Sequence, residues 1–264
     1  MAGTTNRPYS STYKDNLRIE NSNVGADATA RAIYDSVGTE TSTKISTNVL
    51  NVRPKASNST TTFSVTNKNG NPKFSVDTSG NQVLSLGVNN NTQFKSFGVF
   101  AISPTSDTHY AMPIAGSVGN KDSGSANWSP EGFGTDDDPE STHATAADEA
   151  INLTPCIWWL DYPITIDSIR VVASAADDST LDFYVAKYTM GTGTGVAAGD
   201  LTTRATLASL TLTNVNDDRI RTGTLTIASS DVSSNSVVLA FVKNTAATHD
   251  VTATMEIRYH ITGT

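Results

Sequence analysis

A single cysteine, Cys156, stands in 264 residues, so no disulfide closes within the chain. It lies in the apolar run Cys156-Ile157-Trp158-Trp159-Leu160, with no neighbouring base or cation to favour a thiolate, and reads as a buried, inert thiol. Charged residues make up only 17% and hydrophobic residues only 37%, both below the globular average. Basic residues are outnumbered, with a net charge of −8 and a pI near 4.9. A phosphate backbone calls for a basic surface, so no nucleic-acid partner is expected. No apolar run approaches the ~18 residues of a membrane span, so no membrane insertion is expected. The N-terminal stretch MAGTTNRPYSSTYKDN has no apolar centre and is not expected to be a signal peptide.

Thr, Ser, Asn and Gly fill the space that charge and apolar residues leave. Thr is comfortable on a solvated sheet face, so the composition points to exposed β-structure. The most informative stretch is residues 63–86, FSVTNKNGNPKFSVDTSGNQVLSL. Phe63-Ser64-Val65-Thr66-Asn67 returns eleven residues later as Phe74-Ser75-Val76-Asp77-Thr78. Each copy alternates apolar and polar, then runs into a turn with Gly70 or Gly80. A period of two is the strand signal, and Gly beside Asn is the turn signal. So short a set of strands is marginal alone in water. Phe63, Val65, Phe74, Val76, Val83, Leu84 and Leu86 need a covering surface, and the neighbouring sequence supplies none. The simplest cover is the same stretch from other copies, which makes these seven residues the expected oligomer interface of a short β-shaft.

The pattern F-S-V-D-T-S-G-N resembles the β-turn units in trimeric tail fibres and tailspikes of tailed bacteriophages. The likeness covers about two dozen residues. The order of the chain adds to it: a polar N-terminus, a short shaft, a β-rich C-terminus. The resemblance implies a homotrimeric virion protein, a tail fibre or head fibre, assembled in the host cytoplasm. Its N-terminal region would dock on other virion proteins. Its C-terminal knob would attach to a host-surface glycan or protein through loops such as 190–200 and 214–218. A capsid decoration or cement protein is the alternative, with arm 1–24 and loop 103–149 clamping neighbours. A carbohydrate-binding module is a further one.

The expected fold is mainly β, in four parts. Residues 1–55 form an extended N-terminal attachment region with one short helix at 27–37. Its cap is Asp27, its stop is Gly38, and Ala30, Ile33, Tyr34 and Val37 share one face. A strand is expected at 44–53, ended by Pro54. Residues 56–102 form the shaft, with a strand over 94–102 that slips once. Residues 103–150 form an irregular arm or loop. A stretch this long without periodicity is uncommon inside a compact domain. Residues 151–264 form an antiparallel β-sandwich, jelly-roll-like, with strands near 157–160, 165–174, 181–189, 205–213, 219–228, 236–243 and 251–261. Val237 to Val242 is apolar at every position, so that strand is expected to be buried on both faces.

No pattern supports a catalytic or cofactor site, and no enzyme, cofactor or metal is expected. The run Asp136-Asp137-Asp138-Pro139-Glu140 lacks the alternating acids of a calcium loop and reads as a solvated acidic loop. His109, His143, His249 and His260 show no zinc spacing. The glycines at 191, 193 and 195 lead into a strand, whereas a dinucleotide fingerprint leads into a helix. Asp161, Asp167 and Glu256 are carboxylates that sequence does not bring together. Trp158 and Trp159, adjacent on a strand, face opposite ways. One belongs to the sandwich core, and the other, with Tyr162, to a second surface.

Overall fold

The computed structural model describes residues 18–19, 28–34, 38–48, 50–54, 56–80, 82–114, 131–144, 149–176, 178–192, 199–245 and 250–262. It is mainly β, and it divides into two compact units, Met1–Asn90 and Asn91–Thr264.

The first unit holds two antiparallel four-stranded meanders. One runs through β1 (Arg18–Ile19), β2 (Arg31–Tyr34), β3 (Glu40–Ile45) and β4 (Leu50–Val52) in chain order. The helix expected over 27–37 is therefore replaced by a strand at residues 31–34, while Asp27 and Val37 lie outside the described residues. An isolated helix of that length is marginal in water, whereas β2 gains hydrogen bonds from β1 and β3 and buries Ala32. The strand expected over 44–53 is a hairpin instead. Ser46 Oγ accepts from Asn48 N at 3.2 Å and bends the chain between β3 and β4.

The second meander runs through β5 (Phe63–Thr66), β6 (Pro72–Asp77), β7 (Gln82–Ser85) and β8 (Val88–Asn89). Its turns explain the repeat. Asn67 Oδ1 accepts from Asn69 N at 3.0 Å and Asn71 N at 2.9 Å, and Gly70 holds a φ of 81°. In the second copy Asp77 Oδ1 takes the same part, accepting from Ser79 N and Gly80 N, both at 2.8 Å. Asp77→Ala is expected to cost about 1 kcal/mol, because two backbone donors lose one acceptor. A fall in thermal midpoint shared by Asp77→Ala and Asn67→Ala, and absent in Asp77→Asn, checks it. The β7–β8 link is a two-residue turn with Leu86 at φ 53° and Gly87 at φ 81°. Both angles are positive, as the right-handed twist of a tight hairpin requires.

The second unit is a β-sandwich. Its strands are β9 (Thr92–Ile102), β10 (His109–Met112), β11 (Trp158–Trp159), β12 (Ile164–Ala175), β13 (Ser179–Met190), β14 (Leu201–Val215), β15 (Arg221–Thr224), β16 (Thr226–Ile227), β17 (Asp231–Val232), β18 (Val237–Asn244) and β19 (Val251–Ile261). A one-turn helix, α1 (Glu149–Leu153), precedes β11. One sheet has the order β10-β18-β13-β14-β16, with β11 beside β18. The other has the order β15-β12-β19-β9, with β17 beside β12. Consecutive long strands such as β12 and β13, or β18 and β19, lie in opposite sheets. Residues 92–102 thus form the edge of the sandwich rather than part of the shaft, pairing with β19 across one register slip.

Alternation builds the core. In β19, Val251, Ala253, Met255, Ile257 and Tyr259 face inward against Ile164, Ile166, Ile169, Val171 and Ala173 of β12. Every residue of β18 is buried. Val238, Ala240 and Val242 enter the inter-sheet core, and Val237, Leu239 and Phe241 enter a second apolar cluster on the outer side.

Candidate functional site

Residues opposite one another in an antiparallel pair share a face. The registers Phe63↔Val76, Val65↔Phe74 and Val76↔Val83 therefore set five of the seven expected interface residues on one side of the β5–β8 sheet. Val88, opposite Ser85, joins them through Phe74↔Ser85. The sequence reading missed it, although the run Leu84-Ser85-Leu86-Gly87-Val88 marks a hairpin once Gly87 is taken as a turn. Phe63 is 41%, Val65 51%, Val83 38% and Val88 56% exposed, so the face is apolar and open. Phe63 and Phe74 meet edge to face, centroids 6.2 Å apart.

Leu84 and Leu86 do not belong to this face. Leu84 pairs with Ser75 and Asn89 and points to the opposite side, and Leu86 is a turn residue. The two line a shallow depression with Lys73, Ser75 and Gly87. A single-residue change of phase separates Leu84 from Val83, which is why an apolar count alone included it.

Asp136, Asp137 and Glu140 are exposed, as expected of a solvated acidic run, but the backbone that carries them is held to a sheet. Residues 131–144 form a strap across the outer side of the β10–β18–β13–β14 sheet, bridging Tyr110↔Gly132 at one end and His143↔Leu201 at the other. What holds the strap is its own carbonyls. Asp136 O accepts from His109 Nε2 at 3.0 Å and from Lys243 Nζ at 3.1 Å. Asp137 O accepts from the Tyr184 hydroxyl at 2.7 Å, and Glu140 O from the Tyr188 hydroxyl at 3.0 Å. Arg204 donates to Pro139 O and pairs with Asp138 Oδ2 at 3.0 Å. Burial, with Asp182, Asp138 and Asp137 nearby, pushes the Tyr184 phenol up to about 12, and burial raises that of Tyr188 as well. Both hydroxyls stay protonated donors at ordinary pH. Beneath the strap, Phe133 stacks on His143 at 4.1 Å and meets Phe241 edge-on at 4.9 Å.

The remaining sequence candidates resolve individually. Trp158 enters the inter-sheet core, and Trp159 packs against the second cluster. Trp159 borders an apolar depression with Leu153, Ile157 and Met190. The polar member there, Thr154, donates its hydroxyl to Ala150 O at 2.6 Å, which leaves little for a sugar to bond. Tyr162 is exposed. Cys156 is buried, and burial followed by Glu131 pushes its thiol far above the usual range. Asp167 is hydrogen-bonded to His260 Nδ1 at 3.0 Å and forms an ion pair with Arg258, whose Nε lies 4.0 Å away, and Glu256 lies opposite Arg170. Among the described residues no group of three or more His, Cys, Asp or Glu is arranged to hold a metal ion, and no helix is long and apolar enough to cross a membrane. Trp128, His249 and residues 193–198 lie outside the described residues.

No family model matches the chain, and no curated protein matches it.

Proposed function

We propose that the chain is a structural virion fibre protein of a tailed bacteriophage, assembled as a homotrimer through the β5–β8 sheet. The observation that carries this is the open face of Phe63, Val65, Phe74, Val76, Val83 and Val88. Fully burying a Val or Phe side chain contributes about 1.5–3 kcal/mol, so covering this face favours association by several such amounts before the entropy of assembly is subtracted. In this reading the N-terminal region docks on other virion proteins and the sandwich is the host-facing knob. The repeat of Phe-Ser-Val with its Asx turn supports the fibre resemblance, because Asn67 and Asp77 cap their turns in the same way.

Light scattering on the purified chain tests it. The expected mass is about three times the 27.9 kDa of one chain. A clean monomer across the micromolar range would overturn the trimer and leave the β5–β8 sheet a local hairpin stack.

A further inference from the structure

We propose that His109 is a pH-sensitive pin: neutral, it fastens the acidic strap 131–144 to the sandwich, and protonated, it lets the strap go. The inference is independent of the oligomeric reading.

His109 is fully buried at the start of β10. One ring nitrogen, Nε2, meets the Asp136 carbonyl at 3.0 Å, and a carbonyl only accepts. Nε2 therefore carries the hydrogen, and Nδ1 is the bare nitrogen. Nδ1 is buried without a hydrogen-bond partner. A second proton would have to sit there, unsolvated and without an acceptor.

The charges around the ring divide. From β18, Lys243 is its register partner, itself buried, and bonds the same Asp136 carbonyl. From β13 come Asp182 and Tyr184, whose ring meets the imidazole edge-on at 5.0 Å. From the strap comes Asp138, already paired with Arg204. Asp107, just before β10, is taken by Lys243 at 3.4 Å. Asp138 and Asp107 are thus answered by other cations, Asp182 lies 4.0 Å from Lys243 Nζ, and Lys243 adds repulsion to desolvation.

Desolvation, the largest cause, holds the His109 pKa below its ordinary 6.5; Lys243 lowers it further, while the Asp136 carbonyl bond, Asp182 and Asp138 raise it and only partly offset the burial. With the strap released, water reaches the ring, the desolvation is lifted and its pKa rises. Released chains then bind more protons wherever pH lies between the two values. The pin is complete above about pH 6.5 and weakens as pH falls through that window. His143, on the strap itself, differs: Glu140 lies 3.4 Å from its Nδ1 and Glu131 lies 3.8 Å from its Nε2, so a charge there has partners. Release would uncover Phe241, which Phe133 meets edge-on.

Hydrogen exchange by mass spectrometry on the full chain tests this, corrected for the intrinsic pH dependence of exchange. Between pH 7.5 and 5.0, protection of residues 131–144 is expected to fall about tenfold relative to β12 and β19. In His109→Gln, whose amide nitrogen donates from nearly the same place but does not titrate, the step is expected to vanish. Equal protection at both pH values, or a step that survives in His109→Gln and disappears in His143→Gln, would overturn the proposal. Should His109→Gln not fold, the proton NMR titration of His109 in the wild type decides: a midpoint below 6.5, tracked by the strap amides, supports the pin, and one at or above 6.5 overturns it.

Discussion

Phe133→Ala is expected to destabilise the sandwich unit by about 3–5 kcal/mol, the range for an aromatic ring deleted from a packed site. The upper part of that range applies because the site is prevented from collapsing. Phe133 is fully buried between His143, Phe241 and Tyr188. Its backbone is fixed on both sides, with Phe133 N donating to His109 O at 2.7 Å and Glu140 N donating to Phe133 O at 2.9 Å. Those bonds hold the strap at its present height over the sheet, so the lost ring leaves a void. Tyr188→Phe is the matched comparison. It keeps the ring against Phe241 and loses only the hydroxyl bond to Glu140 O, for about 1 kcal/mol. Urea midpoints of the two variants, with the unfolding slope unchanged, check the difference. A Phe133→Ala cost no greater than that of Tyr188→Phe would mean that the strap lies outside the cooperative core.

The contrast between strap and sheets shows which part of the fold a sequence can carry. Residues 251–261 alternate Val, Ala, Met, Ile and Tyr against Thr, Glu and Arg, and β19 has the expected ends. Residues 237–242 are apolar throughout, and β18 is buried on both faces. Burial wrote those patterns, so they can be read back. The strap left no such pattern, because backbone carbonyls hold it and every residue type supplies one. Asp136, Asp137, Pro139 and Glu140 are each held at an atom their side chains do not determine. The donors, His109, Tyr184, Tyr188, Arg204 and Lys243, sit on strands far off in sequence. Phe133 was the one apolar clue in the described part of that segment.

In the first unit, residues 27–37 satisfied a helical spacing, yet Arg31 to Tyr34 pairs with β1 on one side and β3 on the other, and these neighbouring strands decided the matter. Local pattern cannot see a neighbour. For the candidate interface, strand residues Phe63, Val65, Phe74, Val76 and Val83 were legible from period two. Leu84 and Leu86 lie off that face: Leu84 is one residue out of phase with Val83 within β7, and Leu86 sits in a turn with two positive φ angles.

Val65→Lys is the substitution whose effect depends most on assembly. In a lone chain Val65 is 51% exposed, and a lysine there reaches water without leaving its strand. The expected change in stability is then within about 0.5 kcal/mol. In an oligomer closed over the Phe63–Val88 face, the same lysine becomes a buried, unpaired charge. Deeply unpaired charges cost several kcal/mol each, repeated in every copy, which exceeds what the remaining apolar contacts restore. The expected result is dissociation to the 27.9 kDa chain, read by light scattering, with the sandwich unit still folded by circular dichroism. Leu86→Lys separates the interface from a general effect of charge on this sheet. Leu86 is 70% exposed and sits in the β7–β8 turn, off the Phe63–Val88 face. Its lysine is expected to leave the mass unchanged. Dissociation by both variants would extend the interface beyond that face to the turn. Dissociation by neither, in a protein that is trimeric as wild type, would remove the β5–β8 sheet from the interface altogether.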